Sequence, residues 1–390
     1  MLNYNKFIID KIINNINYGS LSIIYPDDEK FIYKGTIDGP NADIKLYNFK
    51  IISNLLFKGN IGLGESYINN HFETSNLSNL IEFIVVNQNS FKKISNGNFI
   101  YRLFQKINHL RNHNSKINSI NNIKYHYDLG NNFYSQWLDE TMSYSSALFD
   151  DFNIDLKNAQ LNKYNRLLSL INPSDKSKIL EIGCGWGSLA NHIAKYTNAH
   201  VTAVTISQKQ YAHVSNLIQQ NGLNENVTVE LKDYRDINKK FDSIVSIEMF
   251  EAVGEKYWPV FFNKLKDNLE YGGKSLLQVI TINENLFENY RNRPDFIQKY
   301  IFPGGMLPSK EIFRSFLYNE GLLIRDEFNF ALSYAKTLNE WNKRFQKSWP
   351  QISKQGFNDY FKRMWEYYLA YCEGGFKGGS IDISQYLITK

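Results

Sequence analysis

Three glycines spaced two apart, in Lys178-Ile-Leu-Glu-Ile-Gly-Cys-Gly-Trp-Gly-Ser188, constrain this chain more than any other stretch. The apolar run from Ile179 to Ile182 reads as a short strand, Gly183, Gly185 and Gly187 break it, and a helix pattern starts near Ser188. Glycine accepts a sharp turn and lets the backbone approach a ligand. The helix N-terminus that follows presents free N–H groups to an anionic group. The pattern suits a nucleotide-type site, and it also suits a tight strand–helix turn in an ordinary α/β domain.

The surrounding pattern favours the site. Strands are expected at Lys178–Ile182, His200–Thr205, Val227–Leu231, Phe241–Ile247, 274–282 and 322–328, with helices at 188–196, 207–221 and 255–269. This alternation predicts an α/β fold with a doubly wound, mostly parallel sheet. A last strand at 381–388 is expected to close the sheet edge. Ligands of such sheets sit at the carboxyl ends of the strands. The glycine loop, Thr205, Asp233 and the stretch from Glu248 to Glu251 all follow strands, so they are expected to meet in one cleft.

Residues 1–98 read as a smaller N-terminal α+β domain, with a hairpin at 21–25 and 30–33, a strand at 43–47 and helices at 49–58 and Leu77–Val86. Residues 99–122 read as a linker containing a helix. Ile100, Leu103, Phe104, Ile107 and Leu110 share one face, and Arg102, Lys106 and Arg111 lie around it. A basic amphipathic helix of this kind suits a membrane surface or packing on its own domain. Residues 123–390 form the expected catalytic domain. Of the 390 residues, 43% are apolar and 15% aromatic, enough to fill a core. Cys184 and Cys372 are too far apart in sequence to suggest a disulfide scaffold or a zinc site, and no metal is expected. The N-terminus lacks the apolar run of a signal peptide, and no run reaches ~18 apolar residues. These features point to a cytoplasmic location. The net charge of +5 permits an anionic membrane surface; no nucleic-acid partner is expected.

The third glycine comes too early for the dinucleotide pattern, and Thr205-Ile-Ser207 stands where an acid would grip a ribose. The loop therefore points to S-adenosylmethionine, with its methionine end at the glycines and its adenine amino group at Asp233.

Several further motifs carry a resemblance. They are His126-Tyr-Asp-Leu-Gly-Asn-Asn-Phe-Tyr134, Trp137-Leu-Asp-Glu-Thr-Met-Ser-Tyr-Ser145, Val204-Thr-Ile-Ser-Gln-Lys-Gln210, Asp233-Tyr-Arg-Asp236 and Met249-Phe-Glu-Ala-Val-Gly254. Tyr300-Ile-Phe-Pro-Gly-Gly305, Leu307-Pro-Ser309, Tyr367-Tyr-Leu-Ala-Tyr-Cys372 and, more thinly, Gly62-Leu-Gly-Glu-Ser-Tyr-Ile68 extend the set. Together with the glycine loop they resemble the cyclopropane-fatty-acyl-phospholipid synthases, which are class I, Rossmann-like methyltransferases related to the mycolic-acid cyclopropane synthases.

The resemblance implies attack of a cis double bond in a lipid acyl chain on the sulfonium methyl, a carbocation, proton loss and ring closure. It implies Tyr144, Ser145, Gly183, Gly185, Thr205, Gln210, Asp233 and Arg235 as cofactor-site residues. It places Glu251, Tyr334 and Cys372 at the reaction site, although Cys372 also suits an ordinary core position. In the family a bicarbonate ion is the base, cradled by a cysteine, a glutamate, a histidine and a tyrosine. Here Ser146 and Gln278 stand at the cysteine and histidine positions. Gln cannot titrate, so a proton relay through that position is lost. The implied partners are an unsaturated phospholipid and a transient, peripheral contact with an anionic membrane through basic residues near 102–116; a homodimer is allowed. The alternatives are a methylene or methyl branch from the same cation, N-methylation of a small amine, and a non-catalytic lipid-binding paralogue.

Overall fold

The computed structural model describes residues 2–95 and 129–390. The expected linker helix, the basic stretch 102–116 and His126 lie outside the described residues. The chain divides into two compact units. Unit 1 comprises residues 1–111, 288–301 and 338–381; unit 2 comprises 112–287, 302–337 and 382–390. The N-terminal part therefore packs with two later stretches that a division near residue 123 assigns to the catalytic domain.

Unit 1 contains a four-stranded sheet of β1 (Tyr18–Ile24), β2 (Lys30–Lys34), β3 (Ile37–Leu46) and β4 (Phe72–Glu73) in the order β2-β1-β3-β4. Alternation puts Leu21, Ile23, Ala42, Ile44 and Leu46 on one buried face, covered by helix Leu77–Val86. Helix Asp359–Lys377 packs closely on that helix. A Cβ at Gly374 would lie 2.6 Å from Ile81, and one at Gly378 2.5 Å from Val85, so only glycine permits this approach.

Unit 2 is built on β5 (Lys178–Ile182), β6 (His200–Thr205), β7 (Val227–Leu231), β8 (Phe241–Ile247), β9 (Leu269–Ile282), β10 (Leu323–Asn329) and β11 (Ile381–Thr389). The order is β10-β11-β9-β8-β5-β6-β7. Strands β5 to β9 pair in parallel, whereas β10 and β11 are antiparallel. Ile179, Leu180, Glu181 and Ile182 are consecutively buried, as expected of a strand covered on both faces. The strand order reverses at β5, whose neighbours β6 and β8 lie on opposite sides, and this is where ligands of such sheets bind. The C-terminal strand does not close the edge: β11 lies between β9 and β10. Its run Ile383-Ser-Gln-Tyr386 is buried on both faces, which an interior position requires. Among the described residues no helix is long and apolar enough to cross a membrane.

Candidate functional site

The loop after β5 has the backbone that its glycines predict. Gly183, Gly185 and Gly187 have φ of 80°, 53° and 84°. The amides of Gly183 and Cys184 both donate to the carbonyl of Val204 at 3.0 Å, tying the loop to β6. A Cβ would lie 2.7 Å from Met249 at Gly183 and 2.7 Å from Val214 at Gly187, whereas at Gly185 it would meet nothing within 4 Å. Two glycines thus allow close packing, and the third faces open space beside a helix N-terminus at Ser188.

The ends of the next strands supply polar groups. Thr205 Oγ1 donates to Gln210 Oε1 at 2.8 Å, and Ser207 caps helix Gln208–Gln220, so Gln210 is held against the strand end. Asp233 follows β7. Its oxygens accept from Arg235 Nε at 2.8 Å and Nη2 at 2.6 Å, and Arg235 also lies over the Tyr257 ring. The expected adenine contacts, Asp233 and Arg235, are therefore bound to each other. Tyr144 belongs to an aromatic cluster, with ring centroids 5.3 Å from Tyr134, 5.5 Å from Trp137 and 6.5 Å from Phe302.

Of the four residues assigned to an anion cradle, Ser146, Gln278 and Tyr334 meet around a side chain, and Glu251 does not join them. Glu248 follows β8 with φ of 50°, a left-handed conformation that costs a non-glycine residue about 1 kcal/mol. Its Oε1 accepts from the amide of Ser146 at 2.8 Å and from Gln278 Nε2 at 2.7 Å, and its Oε2 accepts from the Tyr334 hydroxyl at 2.6 Å. Gln278 is oriented in turn, because its Oε1 accepts from Gln385 at 3.0 Å. Burial raises the Glu248 carboxyl above its ordinary range, and Tyr334, Lys163, Ser146 and Gln278 oppose the shift. A carboxylate held by three donors is suited to stabilise a cation or accept a proton.

Glu251 lies one turn further on. Its Oε1 accepts from the amide of Ile280 at 2.5 Å, and its Oε2 is buried without a partner. Burial, reinforced by Glu248, pushes its carboxyl up to about 8. Cys372 belongs to unit 1, whereas Glu248, Glu251 and Tyr334 belong to unit 2. Its thiol is pushed up by burial and by Asp295.

Three groups escaped the sequence reading: Glu248 as the centre of the cradle, and Gln160 and Lys163 behind it. Gln160 and Lys163 lie on the buried stripe of helix Leu156–Ile171, among Leu156, Ala159, Tyr164, Leu167 and Ile171. Polar residues at core positions of an amphipathic helix were the available signal.

With this geometry in view, comparisons with known proteins agree on one group. A family model for mycolic acid cyclopropane synthetase matches residues 114–386. The chain is 39% identical over 277 residues to a tuberculostearic acid methyltransferase of Mycobacterium tuberculosis, a match covering 69% of this chain and 65% of that protein. It is 35% identical over 359 residues to the cyclopropane-fatty-acyl-phospholipid synthase of Escherichia coli, covering 90% of this chain and 88% of the relative. A mycolic acid cyclopropane synthase solved with SAH and CTAB superposes with a TM-score of 0.65 at 28% identity, over 70% of this chain and 98% of that one.

Proposed function

This chain belongs to the mycolic acid cyclopropane synthetase family and is an S-adenosylmethionine-dependent methyltransferase, and on that premise we propose that it methylates a cis double bond in an unsaturated phospholipid acyl chain and closes the product to a cyclopropane. When bound, S-adenosylmethionine supplies an electrophilic methyl group; Tyr144, Ser145, Gly183, Gly185, Thr205, Gln210 and Asp233 are the residues that would hold it. An alkene is a weak nucleophile, so the protein must exclude water and favour positive charge on the acyl chain.

The observation that carries this reading is the convergence of Ser146, Gln278 and Tyr334 on Glu248. The carboxylate stabilises the cation left on the chain after methyl transfer. It then takes a proton from the new methyl group, whose C–H electrons form the second ring bond. In this reading Glu248 does what the resemblance assigns to bicarbonate. The cradle does not fit that ion: Glu248 already accepts from three of its donors, and a second anion there would meet like charge.

A methylene or methyl branch is the second reading, in which the same cation loses a different proton or rearranges first. The fixed carboxylate and the likeness to a tuberculostearic acid methyltransferase favour it. Either reading requires contact with a bilayer, as a peripheral protein on an anionic, cytoplasmic surface. Exposed Phe31 and Ile32 between Lys30 and Lys34, and Phe7 beside Lys11, support a lipid-handling role for unit 1. A homodimer is compatible with the same reading.

The test is incubation with S-adenosylmethionine and vesicles of either monounsaturated or fully saturated phospholipid. Mass spectrometry should show added CH2 in unsaturated chains alone, and proton NMR should show ring hydrogens. Vinyl or methyl-branch signals would select the second reading. Transfer to saturated lipid, or to none, would overturn both.

A further inference from the structure

We infer that Lys163 is a positioning residue for methyl transfer: its ammonium fixes the segment 144–146 and balances the charge of the Glu248 carboxylate. The inference rests on the reading of Glu248 given above. Lys163 is fully buried, with 0% of its surface exposed, where lysine is seldom found. Among the described residues it forms no direct ion pair. Its Nζ donates to Ser145 Oγ at 2.7 Å and to Gln160 Oε1 at 2.6 Å. Gln160 Nε2 donates to the Ser145 carbonyl at 2.9 Å. Ser145 is thus gripped by side chain and backbone together.

The grip lies immediately before the amide that matters. The Ser146 N–H binds Glu248 Oε1 at 2.8 Å, and the Ala147 N–H binds Thr337 Oγ1 at 3.0 Å. Holding Ser145 therefore aims the Ser146 amide at the carboxylate. The charge has a second effect. The acids that act on Lys163 are Glu248, Asp139 and Glu181, and the Tyr164 ring lies 4.7 Å from Nζ. Burial draws the ammonium down to about 8, with Glu248 foremost among the acids opposing it. It remains mostly charged at neutral pH. A role in packing alone would be met at lower cost by an apolar residue, because burying a charge without a direct counter-ion is unfavourable.

The experiment labels glutamate carboxyl carbons with 13C and follows Glu248 by NMR in the cofactor-free protein, assigning its signal by its loss in Glu248→Gln. Lys163→Met should raise the Glu248 titration midpoint by on the order of one unit, and Lys163→Arg should restore most of the shift. Turnover by Lys163→Met should fall at least about tenfold, with KM for S-adenosylmethionine changed by less than about threefold. Gln160→Glu offers the ammonium a competing carboxylate while keeping the lysine, and it should raise the Glu248 midpoint too if Lys163→Met does not fold. An unchanged midpoint in folded variants would overturn the proposal, as would a shifted midpoint with undiminished turnover. The NMR readout needs no lipid, so failure of this coupling and failure of the acyl-chain reading are separable.

Discussion

Replacing Glu251 by Gln tests the electrostatics of the site without touching the glycine loop. The residue as a whole is half-buried, but its Oε2 is sealed from solvent and has no hydrogen-bond partner. The structure places the carboxyl at about 8, against an ordinary value of 4.5. Between those values the folded protein binds one proton more than the unfolded chain, so stability is fullest below the unfolded value and falls as pH rises. Each pH unit costs about 1.4 kcal/mol, which reaches roughly 3–4 kcal/mol by pH 7. An amide keeps the acceptor for the Ile280 N–H and removes the titration. Glu251→Gln should match the parent near pH 4.5 and exceed it increasingly up to pH 8. Urea unfolding followed by tryptophan fluorescence at several pH values measures this difference, and titrations common to both proteins cancel. Parallel stability–pH curves, or a variant less stable than the parent at pH 7.5, would refute the reasoning.

Glu248→Gln should lower methyl transfer by about 10²–10⁴-fold, as loss of a positioned base does, while SAH binding by calorimetry changes by less than about threefold. Tyr334→Phe removes the donor to Glu248 Oε2, which raises the carboxyl further. The acid limb of kcat should move to higher pH, with activity partly recovered in alkaline buffer. Gly187→Ala drives a Cβ into Val214 at positive φ and should destabilise the protein by about 1–3 kcal/mol in thermal unfolding. Gly185→Ala enters open space, so its larger effect should be weaker SAH binding.

The fold of unit 2 was legible where local pattern decides it. Continuous apolar strands and glycines needing positive φ are properties of neighbouring residues, and helix Ser188–Tyr196 begins and ends where its pattern does. The position of β11 was not legible, because an edge strand and a doubly buried one differ only in what lies on either side. The division into units was hidden for a similar reason: helix Asp359–Lys377 packs with residues near the N-terminus through Gly374 and Gly378, a contact without a local signature. At the site, Ser146, Glu251, Gln278 and Tyr334 were expected to act together, and three of them do, without Glu251. The identity of the anion they bind was missed because Glu248 reaches them only through a left-handed backbone, which strand periodicity does not predict. Lys163 was overlooked because a lysine in an amphipathic helix ordinarily faces water.

The central step is the loss of a proton to a buried carboxylate by a methyl group added to an acyl double bond. S-adenosylmethionine bearing a CD3 group, supplied with monounsaturated phospholipid vesicles, tests it directly. Mass spectrometry of the released acyl chains should find two of the three deuterium atoms retained, with the third lost to solvent through Glu248, and Glu248→Gln should nearly abolish incorporation. Acyl chains free of deuterium, or label found in a head-group amine, would contradict the claim.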